Sequence, residues 1–530
     1  MMRVKTDKHE ISRATGVMAL ATLTSRIAGL VRDMVVGRIF GAGYITDAFF
    51  MAFTIPNLLR RFFAEGSMTA AFVPTFSEVY RLEGEQEARR VFSICWTLLL
   101  LVMLVICILG ILGSPWIVRS IAAGFDDIPG KLALTNSLNQ VMFPYILLVS
   151  LLALLAGVLN VYGHFFLPAL SPLMLNLALI AAALTAHSFL DVPIMALAYG
   201  VLLGGVLQLL ILYPALKRYR IRPRLNFTFS HPRVRTIARL MLPGVAGVAI
   251  YQVNVIVTRV LASFLPEGSV SFLYYGQRLF EFPQGVFIVA LAQAVLPTMS
   301  RQAGAGEVDE LKESFNFAQR LILFGTLPAA CGLVLCAGPI YSLFFMGGAF
   351  DAHAVHQSSL ALAAYAPGLL FVGISRVTVP VFYAHKDTRT PVWISFWTLL
   401  VNAVGGVLLM QFWAHIGLAL ALTFSSAFNA VLLLIFLQRR IRVLELRALL
   451  VYLLKLLPVV AVMSLVVKLL LSHGEWLTGG SRWENGAWLL TATLVGVVVY
   501  LVGAWLLRVP ELEQAVGILR RKIRKEPAGG

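Results

Sequence analysis

The chain has 530 residues, of which 59% are hydrophobic and only 13% charged, and its mean hydropathy is +0.83. A soluble globular chain has about 45–50% apolar and about 25% charged residues, so a water-soluble enzyme of this length is excluded. The balance of 43 Lys and Arg against 26 Asp and Glu gives a formal net charge of +17. In a chain this apolar, that excess points to membrane topology and not to nucleic acid, because membrane proteins concentrate cations in cytoplasmic loops.

A helix needs about 20 apolar residues to cross the hydrocarbon. Apolar runs between charged or Pro/Gly-rich breaks predict an all-α polytopic membrane protein with fourteen spans. In chain order they lie near 14–37, 46–72, 91–112, 136–159, 168–188, 194–216, 236–264, 271–299, 315–337, 358–382, 391–410, 415–437, 449–471 and 486–507. The basic N-terminus enters the first run without a small-residue cleavage site and reads as an uncleaved span. The N-terminal tail, the loops near 73–90, 160–167, 217–239, 300–314, 383–390 and 438–447, and the tail from 508 hold 29 Lys and Arg. The opposite connections hold three: Arg119, Lys131 and Arg482. The asymmetry predicts both termini in the cytoplasm. KRYRIRPRLNFTFSHPRVR (217–235) and LRRKIRKE (519–526) read as topology determinants that touch anionic headgroups.

A duplication is legible at an offset of 223 residues. Pro74-Thr75-Phe76-Ser77 meets Pro297-Thr298-Met299-Ser300, Pro144 meets Pro367, and Pro168 meets Pro391. Each copy holds an even number of spans, so the repeat is parallel, with two six-helix lobes followed by two extra helices. The expected organisation is an N-terminal lobe, 1–216; a basic cytoplasmic linker, 217–239; a second lobe, 240–447; two extra helices, 448–507; and a basic tail, 508–530.

Eleven Lys and Arg fall inside or at the ends of spans. Lys455, Lys468, Arg320 and Arg38 lie near ends, where they can snorkel. Arg26, Arg32, Arg60, Arg61, Arg259, Arg278 and Arg376 would each cost about 2.5–3.5 kcal/mol at the centre of a lipid-facing helix. They need a hydrated cavity, acidic partners or an anion. The acids in these spans are Asp33, Asp47, Glu65 and Glu281; Arg61–Glu65 and Arg278–Glu281 have the spacing of same-face pairs. Asp33 adjoins Arg32 but points about 100° away on an ideal helix. A surplus of guanidinium groups between two lobes favours an anionic substrate, since their forks match phosphate oxygens. Asp47, Thr54, Asn57 and Arg61 on the second span, and Ser271, Tyr275 and Arg278 on the eighth, form polar stripes, and Gly29, Pro56 and Pro283 are candidate kinks. No Walker A, HExxH, GxSxG or CxxC motif occurs, and the four cysteines lie in apolar runs, as small core residues do.

SRIAGLVRD (25–33), IFGAGYITDAFFMAFTIPNLLRRFFAEG (39–66), the PTFSE segment that follows, FPYILL (143–148) and GSVSFLYYGQRLFEFPQGV (268–286) closely resemble the MurJ/MviN family of lipid II flippases. This family lies in the superfamily that also holds multidrug exporters. The likeness extends over essentially the whole chain. It implies a flippase, not an enzyme, that moves the undecaprenyl-diphosphate-linked peptidoglycan precursor from the cytoplasmic to the periplasmic leaflet of the bacterial inner membrane. The family's cavity arginines fall on Arg26, Arg32, Arg60 and Arg278, and its nearby acidic and polar positions on Asp33, Asp47, Asn57, Ser271 and Glu281. The last two helices would offer a groove to the lipid tail. The expected partners are lipid II and membrane lipids, with no nucleic acid, and a monomer is compatible with all of this.

No cofactor is expected. Some family members are thought to use an acidic residue of the second lobe for Na⁺, but here Glu281 is the only acid in those spans, leaving Asn254, Asn402, Thr423 and Asn429 as neutral oxygens. The membrane potential is therefore the expected drive, and a coupling cation stays open. The rival readings are a flippase for another undecaprenyl-diphosphate-linked glycan, and a drug or cation antiporter, which would call for buried carboxylates. A membrane-embedded enzyme would need catalytic acids or histidines, and His353 and His356 have no acidic company in sequence.

Overall fold

The computed structural model describes residues 2–60, 68–477 and 481–512, with all their side chains except those of 2–17, 19, 68–70, 187, 189 and 242–251. The Arg61–Glu65 pair and the 519–526 basic run lie outside the described residues. In chain order the helices begin with α1 (Met2–Phe40), α2 (Tyr44–Arg60), α3 (Met68–Leu82), α4 (Glu85–Leu112), α5 (Ser114–Ile121), α6 (Lys131–Met142) and α7 (Tyr145–Val161). They continue with α8 (Phe166–Phe189), α9 (Met195–Leu210), α10 (Tyr213–Arg218), α11 (Pro232–Ser263), α12 (Ser269–Pro283) and α13 (Val289–Ala305). The last six are α14 (Val308–Phe344), α15 (Ala352–Tyr365), α16 (Gly368–Ala384), α17 (Arg389–Arg440), α18 (Leu446–Leu471) and α19 (Arg482–Leu506).

Among the described residues, ten helical stretches are long and apolar enough to cross a membrane. One of them, α17, has 52 residues. At 1.5 Å per residue that is about 78 Å, more than twice the hydrocarbon thickness. Ala414, with φ 47° and ψ −127°, breaks it between the two spans expected at 391–410 and 415–437. With α1, the α2–α3 region and α11 added, the architecture is consistent with fourteen crossings. Proline sets other interruptions. Pro144 separates α6 from α7, Pro367 separates α15 from α16, and after Pro283 the helix passes into a π-helical turn at Gln284–Ile288.

Helix boundaries recur at the offset read from the prolines. α3 ends at Leu82 and α13 at Ala305, α4 begins at Glu85 and α14 at Val308, and α8 begins at Phe166 and α17 at Arg389. α7 and α16 coincide at both ends, Tyr145–Val161 against Gly368–Ala384. Even the turn that follows repeats, with Gly163 at φ 77° and Lys386 at φ 59°. Glycine takes this left-handed conformation freely, whereas a residue with a Cβ takes it at a cost of about 1–2 kcal/mol. The second turn is held by its own polar clasp, in which Asp387 accepts from the Thr390 amide and hydroxyl and pairs with Arg440. Burial alone would raise the Asp387 carboxyl, but the Thr390 bonds and the Arg440 charge outweigh it and hold it below the ordinary carboxylate value. The clasp therefore contributes fully above that ordinary value, and its contribution is lost as pH falls through the lowered one.

The chain forms two compact units. The first comprises Met1–Ser271 with Gly347–Phe350, and the second Phe272–Met346 with Asp351–Gly530. In the first, α8 packs on α1 and α9, and α2 packs on α6; in the second, α18 packs on α19 and α14, and α16 on α17. The basic 217–239 segment falls inside the first unit. Gly347–Phe350 joins that unit by clipping onto the end of α1, where the Ala349 amide donates to the Arg38 carbonyl at 2.8 Å. Only glycine fits on both sides of this clip. A Cβ on Gly41 would lie 2.6 Å from the Ala349 oxygen, and one on Gly348 would lie 2.2 Å from the Arg38 oxygen.

Candidate functional site

Arg32 lies on α1 where that helix packs against α8, and it is 6% exposed. Its Nε and Nη2 both donate to Asp33 Oδ1, at 3.0 and 2.6 Å, and its Nη1 donates to Asn176 Oδ1 at 3.1 Å. This corrects the expectation that Asp33 points away. The 100° step separates the Cα–Cβ vectors, but the guanidinium is long enough to fold back across it. Asn176 on α8 was missed by sequence reasoning, although a single amide in an apolar run was the available signal. Its Nδ2 donates to the Ser25 carbonyl at 3.0 Å, which fixes the amide so that its oxygen faces Arg32. Arg26, further back on α1, is exposed.

Arg60 closes the described part of α2, half-buried, with Nε and Nη2 donating to Asn57 Oδ1 at 3.2 and 3.0 Å. In the second unit, Arg278 Nη1 stands 3.4 Å from Glu281 Oε2, and its guanidinium lies over the Tyr274 ring at 5.6 Å. Gln277 Nε2 donates to the other Glu281 oxygen at 3.4 Å. Both partners of the Arg278–Glu281 pair are about one-third exposed, so the pair is loose and solvent-screened.

Asp47 and Ser271 belong to a different arrangement. Asp47 Oδ2 accepts from Lys131 Nζ at 2.9 Å and from the Gly268 amide at 2.8 Å. Oδ1 accepts from the Ser271 amide at 2.9 Å and from the Ser271 hydroxyl at 2.7 Å. Both Asp47 and Lys131 are 1% exposed. The carboxylate thus caps the first turn of α12, where helical amides lack partners of their own. Lys131, expected in an outer loop, is instead the first residue of α6, brought to Asp47 because α6 packs on α2. Its ammonium also sits 4.2 Å from the centre of the Phe125 ring. Arg320, expected to snorkel, pairs with the fully buried Glu511 side chain at 2.7 Å.

Among the described residues no group of three or more His, Cys, Asp or Glu side chains has a metal-binding arrangement. Of the neutral oxygens in the second unit, Thr423 donates to the Ala364 carbonyl at 2.7 Å, and Asn429 is bonded on both sides, to Thr398 and Ser375. All four cysteines are free thiols, three of them buried.

The family model described as Lipid II flippase MurJ matches residues 36–483. The lipid II flippase MurJ of Burkholderia cenocepacia is 36% identical over 423 residues, covering 79% of this chain and 82% of that protein. A solved lipid II flippase MurJ in an inward closed conformation superposes with a TM-score of 0.75 at 26% identity, over 92% of this chain and 97% of that one. An inward-facing multidrug resistance MATE transporter of the MOP superfamily has the same fold, with a TM-score of 0.68 at 14% identity over 80% of this chain and 98% of that one.

Proposed function

Because the chain belongs to the lipid II flippase MurJ family, a family of transporters and not enzymes, we propose that it carries lipid II from the cytoplasmic to the periplasmic leaflet of the bacterial inner membrane by alternating access. The observation that carries the chemistry is Arg32, a buried guanidinium set on a membrane-helix face by Asp33 and Asn176. A cation so deep in an apolar protein is expensive, so Asp33 holds it as an ion pair, and exchange of that pair for the diphosphate of an undecaprenyl-linked precursor is what its planar fork suits. Arg26, Arg60 and Arg278 supply further positive charge to the same substrate class. Asn57 and Glu281 hold Arg60 and Arg278 in place with contacts weak enough to be exchanged for phosphate oxygens. Asp47 and Ser271 act by fixing the start of α12 and not by touching the anion, since both carboxylate oxygens already accept two bonds each.

The membrane potential drives the cycle. A diphosphate carries about two negative charges, and each is worth about 2.3 kcal/mol per 100 mV, so outward movement from a negative cytoplasm releases about 4–5 kcal/mol. Reconstitution in liposomes with lipid II supplied on one face tests this. Collapsing the potential at constant pH gradient is expected to stop transport, whereas exchanging Na⁺ for K⁺ at fixed potential is expected to leave it unchanged. Transport that survives without potential but fails without Na⁺ would assign the drive to a cation held by neutral oxygens.

Sidedness follows from the loop charges, with both termini in the cytoplasm. Single cysteines at 220–224 are expected to react with a membrane-impermeant thiol reagent only after permeabilisation, and one at 481–482 in intact spheroplasts. Labelling at 220–224 from outside would invert the topology.

A further inference from the structure

Thirteen residues connect Arg218, the end of α10, to Pro232, the start of α11. It is pinned to the first unit at intervals. Ile221 is buried, the Asn226 amide donates to Thr97 Oγ1 on α4 at 2.8 Å, and His231 Nε2 lies 2.7 Å from Glu87. Just beyond it, Arg233 reaches both Glu83 and Glu78. Between these anchors the chain turns its side chains outward, with the Thr228 amide donating to Asn226 Oδ1 and the Phe229 amide to the Phe227 carbonyl. Arg220, Arg222 and Arg224 are exposed. So are Leu225 (62%), Phe227 (63%) and Phe229, with the two phenyl rings 6.1 Å apart, edge to face.

Large apolar side chains held open to water by a pinned backbone are unfavourable, and no acidic residue occurs between Pro214 and His231 to balance the arginines. A headgroup layer satisfies both at once. Its boundary with the acyl chains takes the phenyl and leucyl groups, and its phosphates take the guanidinium groups. We propose that residues 220–229 form a lipid-binding strap, with Leu225, Phe227 and Phe229 seated at headgroup depth and Arg220, Arg222 and Arg224 on the phosphates of anionic phospholipids. The single sign of the charge and the tether to two membrane helices favour a lipid surface over a soluble protein partner. The strap would fix the α3–α4 end of the first unit at the leaflet surface through the Glu87, Glu83 and Glu78 contacts.

The test uses the full chain in vesicles, with Phe227→Cys in a background lacking the four native cysteines and an environment-sensitive fluorophore on the new thiol. In vesicles containing phosphatidylglycerol, the emission is expected to shift to the blue and to be quenched by lipids brominated near the headgroup. In phosphatidylcholine alone, both effects should be much smaller, and added salt should weaken them as it screens the charges. Arg222→Ser and Arg224→Ser, at exposed positions that leave the buried anchors intact, are each expected to lower the apparent affinity for phosphatidylglycerol roughly fivefold. Emission that stays water-like in both vesicle types, or quenching that is equal with and without phosphatidylglycerol, overturns the proposal. No lipid II is present in the assay, so its outcome is independent of the transport reading.

Discussion

Lys131→Met is expected to destabilise the protein by about 3–5 kcal/mol, the cost of breaking a buried ion pair from one side. The variant keeps the stem volume of the lysine but leaves Asp47 without a counter-charge at 1% exposure. The Gly268 and Ser271 donors remain, so the carboxylate stays hydrogen-bonded and the loss falls on the charge itself. Pairing Lys131→Met with Asp47→Asn removes both charges together. The double variant is therefore expected to lose less than the sum of the two single variants, because each single change strands its partner. Equilibrium unfolding in mixed micelles measures all three. A Lys131→Met protein as stable as the parent would show that the ammonium is dispensable to the Asp47 cluster.

The largest effect on transport is expected at the arginines. Arg60→Ala and Arg278→Ala should each lower the rate of lipid II export by roughly ten- to a hundredfold, the equivalent of about 1.5–3 kcal/mol for a hydrogen bond to a charged group. Both side chains are partly exposed, so folded protein should still accumulate in the membrane. Lysine at either position should restore part of the rate, because the charge returns without the fork. Arg32 needs a different design. Arg32→Ala alone strands Asp33, which is 3% exposed, and would confuse a folding defect with a transport defect. Arg32→Ala combined with Asp33→Asn removes both charges, and this double variant is expected to fold and to fail in transport. Parental export by these variants at equal expression would remove the arginines from the mechanism.

The membrane class, the all-helical architecture and the 223-residue repeat were legible in the amino-acid order alone. These follow from the local rules of hydropathy and helix-breaking prolines, and the 223-residue offset set by three prolines recurs in the helix ends themselves. The same order also singled out Arg32, Arg60 and Arg278, because a cation in an apolar run is anomalous wherever the helix goes. The Arg278–Glu281 contact was legible from spacing along one helix.

Which side chains pair across helices is set by packing. Asn176 meets Arg32 over 144 residues of chain, and Lys131 meets Asp47 over 84, because α8 packs on α1 and α6 on α2. Lys131 sits at the edge of an apolar run, where sequence alone reads a loop charge, and burial turned it into an ion-pair partner. Arg320 stands near the end of a span, and only the return of the chain after α19 brings Glu511 to it. Hydropathy and helical period are properties of neighbours in sequence. The partners of a buried charge are set by which helices pack together, and that information is spread over the whole chain.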